Sequence, residues 1–201
     1  MFRWFRTAAP MRETAEAMVD PRPGDVLLVI GVSNTRLAGA CAAVTGLNGR
    51  AVVVGRGAAE QKLVESSAAA AGALIEFVDA PPTMLPLDSD TFDVVLIPKF
   101  GAPSDMADGA VAAEALRVAR PAGRIIAICG ERRAGILGAL QTPAQAPRGD
   151  EVISLLKAAG GVAVRKLASQ DGVSYFEARK PRPPTEDTSS GGRRQSQSSR
   201  R

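Results

Sequence analysis

The chain has 201 residues, 45% of them apolar and only 4% aromatic, which suits one globular domain with an Ala/Val/Leu core rather than an aromatic stacking surface. Its net charge of +4 is carried by the run from Ser189 to Arg201, where Arg193, Arg194, Arg200 and Arg201 meet no acid, so the basicity belongs to a tail and the body is neutral. Histidine is absent, which excludes Ser-His and Cys-His nucleophilic machinery, histidine general bases and histidine metal sites, and no run of about 18 apolar residues is present to span a membrane as a helix.

The first twenty residues begin MFRWFRTAAPMRE, basic and partly aromatic, without the continuous apolar stretch and small-residue cleavage site of a secretory signal. Phe2, Trp4, Phe5, Met11 and Met18 are expected to pack on the domain as a capping helix; weak contact with a membrane surface is the competing reading. Cys41 and Cys129 stand alone, with no second cysteine at metal spacing, as expected of core thiols in a reducing, cytoplasmic setting. No metal site is expected.

From Gly24 to Gly39 the sequence GDVLLVIGVSNTRLAG reads as a buried strand, a loop and a helix start, the layout with which a Rossmann-like domain cradles a nucleotide. Of the glycines such a loop needs, only Gly31 is present. Further apolar, Val- and Ile-rich runs at Ala51 to Val54, Leu74 to Val78, Phe92 to Ile97 and Arg124 to Cys129 join Val26 to Ile30 as strands buried on both faces. Thr35 to Thr45, Ala58 to Ala71, Asp105 to Arg120 and Asp150 to Ala159 have helical spacing. Strict alternation of these runs predicts a parallel sheet whose right-handed crossovers put helices on both faces.

Val162 to Leu167 and Val173 to Ala178 flank SQDG, so the last two strands are expected to form an antiparallel hairpin. Pro121-Ala122-Gly123 is read as ending a helix and re-aiming the chain into a strand, and Asp93 as holding a strand entrance. From Pro181 onward the composition is Pro, Gly, Ser and charge without apolar periodicity, a disordered tail. The expected organisation is thus an N-terminal segment over 1–20, a Rossmann-like domain over 21–180 and a basic tail over 181–201.

Several of these segments carry a resemblance. RPGDVLLVIG, LPLDSDTFDVVL, EALRVARPAGRIIAI and LLKAAGGVAVRKL resemble successive parts of the class I S-adenosylmethionine (SAM) dependent methyltransferases, specifically the type 11 or ubiquinone-methylase-like domains, over roughly Pro21 to Lys180. Leu85-Pro86, Phe92-Asp93 and Arg117 with Pro121 and Gly123 fall together at family spacing. The resemblance implies a mostly parallel sheet closed by an antiparallel hairpin, SAM as cofactor, methyl transfer to a small-molecule acceptor, and an N-terminal segment at the pocket mouth.

Carried over residue by residue, the resemblance also shows what has changed. The first-strand acid of the family falls on Val29 and the loop glycines on Gly31, Ser33 and Thr35. The ribose-binding acid falls on Gly55, with Arg56 beside it, and the adenine-contacting acid on Pro81, with Asp79 two residues earlier. A hydrogen bond to a charged partner contributes roughly 1.5 to 3 kcal/mol, so losing two of them weakens binding by about two to four decades. The expected cofactor-binding set is therefore Gly31, Ser33, Thr35, Gly55, Arg56 and Asp79, in a site degenerate enough to imply either a divergent methyltransferase or a catalytically silent one.

Two other chemistries compete. Arg56 directly after the second strand suits the 2′-phosphate of NADP, although the first loop lacks GxGxxG. Lys99, just past the fourth strand, is the candidate for a catalytic base or an anchor for an anionic substrate, against the alternative of a solvated loop lysine. A non-enzymatic module on the same sheet, binding a small molecule or a protein partner, is the main alternative function. Open space above Gly31 favours the enzyme, and side chains of Val32, Asn34 and Arg56 filling it favour the module. The tail's four arginines without interleaved aromatics imply no specific nucleic-acid recognition, and the oligomeric state is not legible.

Overall fold

The computed structural model describes residues 15–100, 108–130, 149–170 and 172–183. Its strands are β1 (Val26–Ile30), β2 (Arg50–Gly55), β3 (Glu76–Asp79), β4 (Phe92–Phe100), β5 (Ala119–Gly130), β6 (Val162–Gln170) and β7 (Val173–Arg179). The intervening helices are α1 (Thr35–Thr45), α2 (Gly57–Ala71), α3 (Asp108–Val118) and α4 (Gly149–Ala158).

All seven strands form one sheet in the order β3-β2-β1-β4-β5-β7-β6. The first five are parallel, and β7 runs antiparallel to both β5 and β6. Alternation sorts the side chains into two cores. Leu28, Ile30, Val52, Val54, Val95 and Ile97 pack under α3 and α4, whereas Leu27, Val29, Val53, Leu96 and Ile126 pack under α1, Val64 of α2 and the helical turn at 15–19. Central strands buried on both faces need apolar residues at consecutive positions, and β1 and β2 supply them.

The order reverses at β1, whose loop leads to α1 while β4 departs on its other side. That crevice at the carboxyl ends of the strands is where open α/β sheets place ligands. Gly31 makes the turn there with φ of 100°, a conformation that L side chains rarely adopt, and Asn34 caps α1 by accepting the Leu37 amide at 3.1 Å.

Three expectations need correction. The helix before β5 stops at Val118, and Pro121-Ala122-Gly123 is a bulge inside β5 rather than a helix terminator: Phe92 pairs with Ala119 and Val94 with Arg124, leaving the extra residues of β5 looped out. The Lys180 carbonyl accepts the Ala122 amide at 3.0 Å, so the end of β7 secures this bulge. Next, β4 continues through Pro98 and Lys99 to Phe100, because Phe100 pairs with Cys129 beyond a register shift; Lys99 therefore lies on a strand and not in a loop. Last, β3 starts at Glu76, two residues after Leu74, which is exposed.

The opposite edge of the sheet, at the amino ends of the strands, is bound by charge. Asp93 accepts the Val26 amide at 2.8 Å and pairs with Arg120, the structural role expected of it. Arg117 donates to the Leu87 carbonyl at 2.8 Å and to the Leu85 carbonyl at 3.0 Å, while Glu114 accepts the Leu85 amide at 2.7 Å. The Arg117 guanidinium hydrogen-bonded to Glu114 holds that carboxyl below the usual glutamate range, outweighing partial burial. Together the two residues fasten the LPLDS segment to α3.

Glu177 is buried on β7 and accepts from Arg124 Nε at 2.7 Å and Arg165 Nε at 2.9 Å. Burial alone would raise its pKa, but the two guanidinium groups reverse the sign and leave it lowered. Arg124 also donates to the Val19 carbonyl at 3.0 Å and the Met18 carbonyl at 3.3 Å, tying the 15–19 turn to the sheet. Val19 is fully buried, so the end of the N-terminal segment belongs to the core. Phe2, Trp4, Phe5, Met11 and the expected tail from residue 184 onward lie outside the described residues. Among the described residues, no helix is long and apolar enough to cross a membrane, and no cluster of His, Cys, Asp and Glu could hold a metal.

Candidate functional site

The carboxyl ends of β1, β2, β3 and β4 bring together Gly31, Ser33 and Thr35 on one loop, Gly55 and Arg56 at the tip of β2, and Asp79 at the tip of β3. Gly55 and Asp79 are direct register partners, and the Ala80 amide donates to the Gly55 carbonyl at 3.1 Å. Asp79 and Ser33 are exposed, and Thr35 is the first residue of α1, its carbonyl accepting the Ser67 hydroxyl at 2.7 Å. Pro81 begins the following turn, closed by the Met84 amide at 3.0 Å from its carbonyl. Val29, in the middle of β1, is 1% exposed and completes the apolar core; an acid there would be a buried charge without a described cation beside it.

The space over these residues is divided. A Cβ built on Gly31 would meet nothing within 4 Å, so the mouth of the first loop is open. Over the tip of β2 the opposite holds. A Cβ on Gly55 would lie 2.7 Å from Glu60 Oε2, 2.9 Å from Phe77 Cε2 and 2.9 Å from Val32 Cγ1. Three side chains from three elements thus occupy the ground that a ribose-binding acid would stand on. Of the residues expected to fill the space above Gly31, Val32 lies against Gly55 at the tip of β2, Asn34 is engaged in capping α1, and Arg56 is exposed.

Glu60 was not singled out in the sequence. Its Oε2 accepts the Arg56 amide at 2.6 Å, bringing a carboxylate back from the first turn of α2 to the tip of β2. An acid in the first turn of a helix suits the positive end of its dipole, and that favourable position is the one signal that could have pointed to it.

A groove of about 390 Å³ opens beside α1, at the carboxyl ends of β4 and β5 and the start of β7. This is within the volume range of small-molecule sites, about 300 to 1,000 Å³. Leu37, Pro98, Ile128 and Val173 supply apolar walls, and Ser33, Arg36, Lys99 and Tyr175 the polar ones. Lys99 is exposed at the groove, the surroundings of a solvated lysine rather than of a desolvated base. Cys41, behind the groove on α1, is buried; burial first and the Glu16 carboxylate second push its thiol up to about 12, so it is no nucleophile at neutral pH.

No protein-family model matches the sequence, and no curated protein matches it either. Solved structures do match the fold. A SAM-dependent methyltransferase from Aquifex aeolicus superposes with a TM-score of 0.70 at 16% identity, over 84% of this chain and 88% of that one. A SAM-dependent methyltransferase from Methanosarcina mazei gives 0.61 at 15% identity, over 81% of this chain and 95% of that one. The [4+2]-cyclase SpnF gives 0.68 at 14% identity, over 90% of this chain and 84% of that one. Strand order, the antiparallel β7 and these superpositions agree: the chain has the fold of the class I SAM-dependent methyltransferases.

Proposed function

We propose that this protein is a non-enzymatic relative within the methyltransferase fold, a module that binds a small molecule in the groove beside α1 and transfers no methyl group from SAM. One observation carries the reading: the tip of β2 is filled by Glu60, Phe77 and Val32. A side chain on Gly55 long enough to be the family's ribose acid would collide with these three, so that acid is absent and its ground is taken. The residues present do not fit SAM in the family manner, so no catalytic step is routed through it. A fold does not dictate chemistry, and this one also serves a cyclase.

The open space above Gly31 favours a second reading, a SAM-dependent methyltransferase acting on a small acceptor with a rebuilt cofactor site. There Ser33 and Thr35 would hydrogen-bond the methionine end, Asp79 the adenine, and Glu60 would swing over the ribose. NADP binding through Arg56 is disfavoured, because the Glu60 carboxylate at the Arg56 amide would repel a 2′-phosphate.

Calorimetric titration with SAM and S-adenosylhomocysteine, with NADPH alongside, separates the three. The expected result is no binding tighter than about 1 mM for any of them. A dissociation constant for SAM near or below about 10 µM, roughly −7 kcal/mol, would sink the non-enzymatic reading in favour of the methyltransferase.

A further inference from the structure

We propose that the groove beside α1 binds a small amphipathic anion, an organic molecule with one carboxylate or phosphate head and an apolar body. The proposal deepens the binding-module reading and rests on it, since it takes this groove and not an adenosine subsite as the ligand site.

The described charges at the groove are of one sign. Arg36 and Lys99 line it from two different elements, and no carboxylate lines it among the described residues. Neither cation has an ion pair to a described acid, whereas Arg50, Arg117, Arg120, Arg124, Arg165 and Lys180 all do. The first turn of α1 contributes to the same wall through Asn34, Arg36 and Leu37, and it contains no acid. An arginine in the first turn adds like charge to the positive end of the helix dipole, an arrangement that local helix energetics disfavours. Where a local rule is broken without compensation inside the fold, the compensation is sought in a ligand.

The rest of the groove specifies the body of that ligand. Pro98 and Leu37 are buried residues whose edges reach the groove, and Ile128 and Val173 extend the apolar surface. Tyr175, 3% exposed, brings an aromatic ring with a hydroxyl to the same wall. A free inorganic anion would leave this surface wet, and an uncharged apolar molecule would leave both cations unpaired. A molecule with one anionic end and one apolar end satisfies both.

The test is amide chemical-shift mapping by NMR of the full chain. It is titrated with 4-phenylbutyrate, phenyl phosphate and the uncharged 4-phenylbutanol. The expected result is saturable shifts at Arg36, Leu37, Lys99, Val173 and Tyr175 with at least one of the two anions, and at least tenfold weaker binding of the alcohol. Which anion binds more tightly identifies the head group. Arg36→Gln and Lys99→Gln each remove one charge-assisted contact and should weaken the anion about tenfold. Both side chains are exposed, so the variants should fold, and their spectra check that directly. The proposal is overturned if neither anion gives saturable shifts at these amides up to about 10 mM. It is equally overturned if acid and alcohol bind alike, or if both variants bind as the native chain does. SAM titrated into the same sample reports separately: shifts centred on Gly55 and Asp79 would overturn the binding-module reading, while the anion arms alone decide the groove.

Discussion

The two edges of the sheet treat charge in opposite ways. At the amino ends of the strands, Asp93, Glu114, Glu177, Arg117, Arg120 and Arg124 are joined in pairs and triads that also take up backbone amides and carbonyls. At the carboxyl ends, Arg36 and Lys99 stand without a described acid beside an open groove, and Asp79 is exposed. The first edge is wired to hold a fold; at the second these charges have no described partner. The comparison explains why motif-level resemblance is strong at the amino edge and poor at the carboxyl edge: Arg117 and the Pro121-Ala122-Gly123 bulge serve architecture, while Gly55 and Val29 stand where the resemblance places cofactor-binding acids.

Breaking the amino edge should produce the largest effect. Arg124→Ala leaves Glu177, whose side chain is 2% exposed, with Arg165 as its remaining close partner, and frees the Val19 and Met18 carbonyls. A loss of about 2 to 4 kcal/mol in urea unfolding is expected, with part of it recovered in Arg124→Ala/Glu177→Gln because the second change removes the buried charge.

Restoring the family's acid tests the carboxyl edge. Gly55→Asp drives a side chain into Glu60, Phe77 and Val32. It should cost about 1 to 3 kcal/mol by overpacking, and like charge against Glu60 adds to that, without creating SAM binding by calorimetry. A stable Gly55→Asp protein that binds SAM would show that the space is freely rearranged.

Arg117→Ala should cost about 2 kcal/mol, since it removes charge-assisted hydrogen bonds to Leu85, Leu87 and Glu114. Arg117→Lys should recover little, because a single ammonium cannot reproduce the forked geometry. The readout is the urea midpoint of each variant at constant ionic strength.

The same edge sets the acid response. Glu114 and Glu177 both have lowered pKa values, so each contributes stability that is present above the unfolded glutamate value of about 4.3 and is lost as pH falls through the still lower folded value. Urea midpoints followed from pH 7 down to about pH 3 should fall less steeply in Glu114→Gln than in the native chain; parallel curves would remove Glu114 from the account.

The smallest effect has the opposite sign. Arg36→Glu replaces a like charge at the positive end of α1 by an opposite one and should stabilise the fold by about 0.3 to 1 kcal/mol while abolishing anion binding in the groove. If it destabilises instead, Arg36 belongs to the architecture and the contrast between the edges weakens.

Local pattern carried much of the fold. Thr35–Thr45 is a helix and Val26–Ile30 a strand at the expected boundaries, because their apolar periodicity, the Asn34 cap and the Gly31 turn are all written within a few residues. The hairpin of β6 and β7 was legible for the same reason, with Ser169 opposite Ser174 and Gln170 opposite Val173 across the expected turn. Boundaries that depend on a neighbour were not. β4 reaches Lys99 and Phe100 because β5 offers Cys129 as a partner, and the bulge at Pro121-Ala122-Gly123 is defined by its pairing with β4.

By itself, then, the sequence determined a doubly covered, mostly parallel sheet, and it put Val29, Gly55 and Pro81 where the resemblance expects acids, since each is a property of one position or one short window. Tertiary structure alone decided what surrounds these positions. Glu60, Phe77 and Val32 come from three elements to fill the tip of β2, and Arg36 and Lys99 meet across a groove although 63 positions separate them in the chain. The physical reason is that occupancy of space and compensation of charge are relations between residues brought together by the sheet, and no periodicity along the chain encodes them.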